Sequence, residues 1–306
     1  MKKPSVLLLV TSLLTTLTIG CSPVTKSSIE SNGTGIIGGT EVVEDSQLHQ
    51  SIVGIYDFKN HSLCTGSLIA SNIVLTAAHC LTGNASDQLI VFSADLIGTL
   101  KRAQSDKTIL LQKVRRGVKA ILHDEWGKKH VQNQAWGDIA LIRFAGSAPE
   151  GFKPATFISS SSLLSTGAEV TVAGYGVSSN ILVPVDPRKT PDFKQLLDDG
   201  KVFCENEDDS TEKCFREEVS GEGLLRTTEI KVEGHFNNTE VVLNQSKGRA
   251  SCEGDSGGPA YLKVNGEYHL WGVTSRGTRG CNGFVIYTDA VAQKEWINLK
   301  LAEILK

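Results

Sequence analysis

Short β-prone runs alternate with clusters of Gly, Asn, Asp and Ser along this chain, and no amphipathic stretch of crossover length separates them. The clearest runs are Ser51–Tyr56, Ser67–Ala70, Ile73–Ala77, Gln88–Phe92, Gly117–Leu122, Ile139–Phe144, Glu169–Ala173, Leu224–Val232, Val241–Leu243, Tyr268–Thr274 and Phe284–Thr288. Parallel sheets need crossover helices, so the pattern argues for antiparallel barrels or sandwiches. A length of 306 residues with 40% hydrophobic content can fill one large all-β domain or two smaller ones. One helix is expected, at the C-terminus, where Val291, Trp296, Ile297, Leu301, Ile304 and Leu305 fall on one stripe. No internal repeat is visible.

The N-terminus carries different information. Lys2 and Lys3 precede an apolar and hydroxyl run from Val6 to Gly20, too short for a mature transmembrane helix and suited to a cleavable export signal. It ends Leu17-Thr18-Ile19-Gly20-Cys21, which resembles the bacterial lipobox, although Thr18 stands where that motif prefers leucine. Acylation of Cys21 is one reading; ordinary cleavage near Gly20, leaving a free thiol, is the other. Residues 22–35 are rich in Ser, Thr, Gly and Asn and read as a flexible tether. No other segment is long and apolar enough to span a bilayer. Export allows the remaining six of seven cysteines to pair. With 31 basic and 34 acidic residues, the chain lacks the basic balance of a nucleic-acid binder.

Three segments could carry chemistry: Leu75-Thr76-Ala77-Ala78-His79-Cys80, Gly137-Asp138-Ile139-Ala140-Leu141-Ile142 and Cys252-Glu253-Gly254-Asp255-Ser256-Gly257-Gly258-Pro259. Each alone fits a packed histidine, a turn aspartate or a sharp turn. Together they meet a stricter requirement. A serine hydroxyl is a weak nucleophile and needs an imidazole base, which in turn needs a carboxylate to fix its tautomer. The developing oxyanion needs backbone N–H donors, and the glycines around Ser256 let the backbone present those of Gly254 and Ser256. Gly254-x-Ser256-x-Gly258 also fits the nucleophile elbow of α/β-hydrolases. That fold requires the order serine, acid, histidine and a helix after the serine. Here His269 precedes Asp289 and Pro259 opens a strand-like run, so that assignment fails. No metal site is expected: HExxH is absent, and His49, His61, His123, His130, His235 and His269 show no ligand spacing. No cofactor motif stands out.

The order His79, Asp138, Ser256, in the contexts TAAHC, DIALI and GDSGGP, resembles the chymotrypsin/trypsin family of serine endopeptidases. Further matches are Ile36-Ile37-Gly38-Gly39, Cys64-Thr65-Gly66-Ser67-Leu68-Ile69, Ala173-Gly174-Tyr175-Gly176, Val285-Ile286-Tyr287-Thr288 and Trp296-Ile297. The resemblance covers nearly the whole exported chain and, with the lipobox, points to a bacterial exported or lipoprotein member. It implies an all-β fold of two antiparallel six-stranded β-barrels, with the active site in the cleft between them and a C-terminal helix. Barrel one would span about 36–148, barrel two about 149–290 and the helix about 290–305. It also implies a Ser256 nucleophile, a His79 base, an Asp138 orienting acid and an oxyanion hole from Gly254 and Ser256. Implied pairings are Cys64 with Cys80 and Cys252 with Cys281, leaving Cys204 to Cys214; acylated Cys21 would complete the seven. Cleavage before Ile36 would free an amine to pair with Asp255. Gly35 replaces the usual Arg or Lys there, so a separate activating protease is expected.

The implied substrate pocket comprises Ala250, Ser251, Ser275, Gly277 and Val285. Ala250 stands six positions before Ser256, where trypsin-like members carry an aspartate; without a carboxylate, a buried substrate cation would go unpaired. Val285 should narrow the pocket, favouring medium apolar side chains. Arg276 and Arg279 could attract acidic substrates or form a solvated rim. An acidic insertion spans about 178–222; from Asp198 to Glu222 it has ten acids against three bases. It reads as a solvated surface insertion stapled by a local disulfide, without the ligand spacing of an EF-type calcium loop. The rival functions are a non-enzymatic binding homologue and a sensor that cleaves one partner with the insertion as exosite. The expected partners are protein or peptide substrates, a lipid surface and no nucleic acid, with the chain a monomer.

Overall fold

The computed structural model describes residues 36–128, 136–206 and 212–306. The export-signal and tether readings over 1–35 lie outside the described residues, as do His130 and the acids Glu207, Asp208 and Asp209. In chain order the elements are β1 (Thr40–Glu41), β2 (Ile52–Asp57), β3 (Ser62–Ala70), β4 (Ile73–Thr76), β5 (Gln88–Val91), α1 (Leu96–Ala103), α2 (Lys107–Lys113), β6 (Val114–Leu122) and β7 (Ala140–Phe144). There follow β8 (Glu169–Gly174), β9 (Ser179–Val185), α3 (Phe193–Asp198), β10 (Phe203–Asn206), β11 (Glu212–Ser220), β12 (Arg226–Asn237), β13 (Glu240–Asn244), β14 (Pro259–Val264), β15 (Glu267–Gly277), β16 (Phe284–Asp289) and α4 (Lys294–Ile304).

Six antiparallel strands close the first barrel in the order β2-β3-β4-β7-β6-β5, with β5 returning to β2. The second runs β8-β12-β13-β16-β15-β14, and β14 closes it against β8. The expected all-β, two-barrel fold is therefore present, with its C-terminal helix. β12 shows the alternation that builds such a wall: Thr228, Ile230 and Val232 are buried, while Glu229, Lys231 and Glu233 are exposed. β4, by contrast, reads Ile-Val-Leu-Thr and is buried at every position, because both of its faces are covered. Ile52, Leu68, Leu75, Ile90, Phe92 and Leu141 fill the first core; Val172, Ile230, Leu243, Trp271 and Tyr287 fill the second.

Residues 36–41 belong with the second barrel. β1 pairs with β12, and Ile37 exchanges backbone hydrogen bonds with Ala250. The described chain has three helices that the stripe pattern did not predict. Asp95 and Asp106 cap α1 and α2 by accepting from the Gly98 and Thr108 N–H groups. Within the C-terminal stripe, Trp296, Ile297 and Ile304 are buried as expected, but Leu305 is exposed. The largest departure lies in the acidic insertion, which folds as a three-stranded antiparallel sheet, β10-β11-β9. Its disulfide, Cys204–Cys214, joins directly opposed residues of β10 and β11.

Candidate active site

The histidine turn is built on buried apolar chain. β4 ends at Thr76, Ala77 and Ala78 are fully buried, and a short 3₁₀ turn from Ala78 to Cys80 turns His79 toward the cleft. The Cys64–Cys80 disulfide fastens this turn to β3. His79 Nδ1 lies 2.8 Å from Asp138 Oδ2, and the His79 N–H donates to Asp138 Oδ1 at 3.0 Å. An ionised carboxylate only accepts, so Nδ1 carries the proton and Nε2 keeps its lone pair. Asp138 Oδ2 also accepts from Ser275 Oγ at 2.6 Å, and the Asp138 carbonyl accepts from Thr288 Oγ at 3.0 Å. The His79 side chain is 32% exposed while that of Asp138 is 3% exposed, so the imidazole reaches solvent and its orienting carboxylate does not.

Ser256 sits on the turn between Cys252 and β14. This turn needs glycine: Gly254 (φ +89°) and Gly257 (φ +77°) adopt left-handed backbone, and a Cβ on Gly257 would lie 2.0 Å from Thr76 Oγ. Among the described residues, neither the Gly254 nor the Ser256 N–H donates to a protein acceptor, so both donors remain available. One residue of the first barrel holds the serine turn in place. The Thr65 N–H donates to the Ser256 carbonyl at 2.8 Å, its hydroxyl donates to the Gly254 carbonyl at 3.0 Å, and that hydroxyl accepts from Tyr175 N–H at 3.1 Å. Since Thr65 adjoins Cys64, the serine turn and the histidine turn are seated against the same strand. The Ser256 carbonyl oxygen lies 3.6 Å from Cys80 Sγ. The Cys64 and Cys80 sulfurs lie within 4.8 Å of a His79 ring nitrogen, but they are bonded to each other and offer no thiolate to a metal.

Asp255, next to the serine, is completely buried. Its carboxyl accepts from Gly176 N–H and Cys252 N–H, each at 2.8 Å. Burial nevertheless dominates these two donors and pushes its pKa up to about 7. Ile36 is also buried, in the second core.

A cavity of about 390 Å³ opens beside Ser256, lined among others by Ser251, Ser275, Gly277 and Val285. Ser251 Oγ is 2.6 Å from Tyr287 OH, at the buried end, where burial raises the phenol well above its ordinary range. Ala250 is buried behind this lining, paired with Ile37. The Cys252–Cys281 disulfide braces the wall. Cys64–Cys80 and Cys252–Cys281 are the pairs the resemblance implies, and Cys204–Cys214 is the pair that it left over.

Two carboxylates that the sequence did not single out hold the cavity's arginines, Glu240 on Arg276 and Glu217 on Arg279. Glu240, buried at the start of β13, accepts both Arg276 amines at 2.8 and 2.9 Å, and the guanidinium stacks over Trp136 at 4.2 Å. Arg276 is thus internally neutralised, neither a free attractor of acids nor a solvated rim. Glu217 of β11 accepts from the Gly280 N–H at 2.8 Å and lies 3.5 Å from Arg279. Both Glu217 and Gly200 line the same cavity as Ser256, so the insertion is part of the cavity wall, not only a solvated appendage.

Two closed antiparallel barrels with a C-terminal helix, the His79 and Ser256 turns both held against β3, are the architecture of a serine-type endopeptidase of the chymotrypsin fold. The Trypsin family model matches residues 36–188 and 210–297, and the chain belongs to that family. The chain is 25% identical to human chymotrypsin-like elastase family member 1 over 277 residues, covering 87% of this chain and 92% of that protein. Bovine chymotrypsin-like elastase family member 1 is 27% identical over 280 residues, covering 87% and 90%. Phenoloxidase-activating enzyme 1 of Spodoptera litura is 27% identical over 294 residues, covering 92% of this chain and 71% of the insect protein. The family match leaves out residues 189–209, within the acidic insertion.

Proposed function

We propose that this peptidase cleaves peptide bonds through a Ser256–His79–Asp138 triad and an acyl-enzyme. His79 Nε2 takes the Ser256 proton as Oγ attacks the scissile carbonyl, then gives it to the leaving amine. Asp138 fixes the tautomer and stabilises the imidazolium. The N–H groups of Gly254 and Ser256 hold the oxyanion, and water later regenerates the hydroxyl by the reverse proton path. The observation that carries this reading is the 2.8 Å contact between His79 Nδ1 and Asp138 Oδ2, since it leaves Nε2 basic on the cleft side. Labelling with a fluorophosphonate tests it: the active chain should be modified at Ser256, and an unmodified serine overturns the reading.

For the residue on the N-terminal side of the scissile bond, the enzyme prefers uncharged apolar side chains. The Val285 lining and the absence of a carboxylate at Ala250 support that preference. Activation is cleavage before Ile36 by another protease, the new amine pairing with buried Asp255 and lowering its pKa again. Residues 1–21 direct export, residues 22–35 form the tether, and 36–306 form the protease domain, which acts as a monomer in the cell envelope or outside the cell. Among the described residues, no helix is long and apolar enough to cross a membrane. Cys21 is acylated in this reading, and residues 22–35 hold no cysteine that could tie the anchored end to the domain, so cutting before Ile36 frees the enzyme from its anchor. Cell fractionation with N-terminal sequencing checks this, and a membrane-bound active form beginning at Ile36 contradicts it.

A further inference from the structure

The acidic insertion reaches the substrate cavity through one side chain. Glu217 sits on β11 opposite Leu182 of β9. Its carboxylate accepts from the Gly280 N–H at 2.8 Å and from Asn180 Nδ2 at 2.9 Å, using one oxygen for both, and the other oxygen lies 3.5 Å from the Arg279 guanidinium. Its side chain is 16% exposed and that of Arg279 49% exposed, so the hydrogen bonds to Glu217 are better shielded than the ion pair.

The loop so gripped is a wall of the cavity. Thr278, Arg279 and Cys281 line it together with Ser256 and Val285. Gly280 takes a left-handed backbone (φ +71°), and a Cβ there would come 2.9 Å from Leu182 Cδ1. Arg279 also places its guanidinium over the ring of the insertion's Phe203, 4.9 Å from the centroid. The insertion therefore meets this loop through all three of its strands: the Glu217 carboxylate of β11, the close approach of Leu182 from β9, and Phe203 of β10 beneath the Arg279 cation. The Cys252–Cys281 disulfide holds the end of the loop, and Gln245 N–H binds the Gly283 carbonyl beyond it, leaving Glu217 as the carboxylate that accepts from its middle.

We propose that Glu217 is a positioning residue by which the insertion sets the shape of the substrate cavity and hence its specificity. The inference rests on the peptidase reading of that cavity and extends it to β11, a strand that flanks the stretch left out of the family match. Glu217 touches neither the triad nor the oxyanion donors. Its removal therefore loosens the wall that receives a substrate side chain while leaving the nucleophile intact.

The experiment uses the full chain in its active form and the variants Glu217→Ala, Glu217→Gln and Leu182→Ala. Two quantities are read on each: kcat and KM for an apolar peptide substrate, and the rate of labelling by a small alkyl fluorophosphonate that does not fill the cavity. Losing a charge-assisted hydrogen bond predicts a KM about tenfold higher in Glu217→Ala. kcat and the labelling rate should stay within about twofold. Glu217→Gln keeps an oxygen for Gly280 N–H and should recover most of the loss. Leu182→Ala, a milder change, should raise KM in the same selective way if Glu217→Ala fails to fold. Unchanged KM in the folded variants overturns the proposal, as does a labelling rate that falls in step with KM. A wild-type chain that is not labelled at Ser256 sinks the peptidase reading itself, whereas normal labelling with unmoved KM sinks this inference alone.

Discussion

Asp138 is oriented by three donors, two from His79 and one from Ser275. In Asp138→Asn an amide NH₂ would confront one of them and push the imidazole toward the wrong tautomer. The expected result is a kcat lower by about 10⁴ with little change in KM and an unchanged circular dichroism spectrum. Val285→Gly removes side-chain volume from the cavity, and kcat/KM for substrates with a large aromatic residue before the scissile bond should rise at least about tenfold. Asp255 gives a pH signature. The folded, uncut chain keeps its proton up to about pH 7, while an unfolded chain releases it near the ordinary value of 3.8. The folded state then binds more protons between those limits, so stability falls as pH rises across that window. Melting temperatures of the uncut chain should show this decline, and Asp255→Asn should remove its share. His79, Asp138 and Ser256 stand out in the sequence because each lies inside its own short, distinctive run. Glu240 and Glu217 do not, because each is an ordinary strand carboxylate whose partners lie 36 and 62 residues away.

At the scale of elements, the barrel strands were readable from their alternation and their turn residues, whereas α1 and α2 were not. Helices of eight and seven residues show barely two turns of period, and α1 contains Gly98, a poor helix former. Their caps decide them instead. Asp95→Ala should lower stability by about 1 kcal/mol, a fall of roughly 2–4 °C in melting temperature, without affecting catalysis. The insertion escaped for another reason: its composition is that of a solvated loop, and it is pairing with β9 and β10 that makes β11 a strand. Replacing Cys204 and Cys214 together by serine opens a short loop, at an expected cost of about 2–3 kcal/mol. The loss should be confined to the insertion, seen as faster proteolytic nicking there while fluorophosphonate labelling persists.

Across the whole molecule, the two barrels supply different parts of the proposed site, His79 and Asp138 from the first and Ser256 and the cavity from the second. Sequence could indicate that division but not how the halves are held in register, because most of the contacts that do so involve backbone groups: Thr65 N–H to the Ser256 carbonyl and Thr288 Oγ to the Asp138 carbonyl, with Ser275 Oγ on the Asp138 carboxylate. Thr65, fully buried, joins the Ser256 turn and Tyr175 to β3. Thr65→Val keeps the shape but leaves the Tyr175 N–H and the Gly254 carbonyl unpartnered. Urea titration should register a loss of about 2–4 kcal/mol, and labelling of Ser256 should slow. The same residue bears on how the enzyme dies when heated. A nucleophile and a base riding on separate halves would ordinarily drift apart as soon as either half began to breathe, and hydrolysis would fade well below the melting point. With one hydroxyl and one amide stitching the halves at the point of reaction, turnover should instead survive to the onset of cooperative melting and vanish with it.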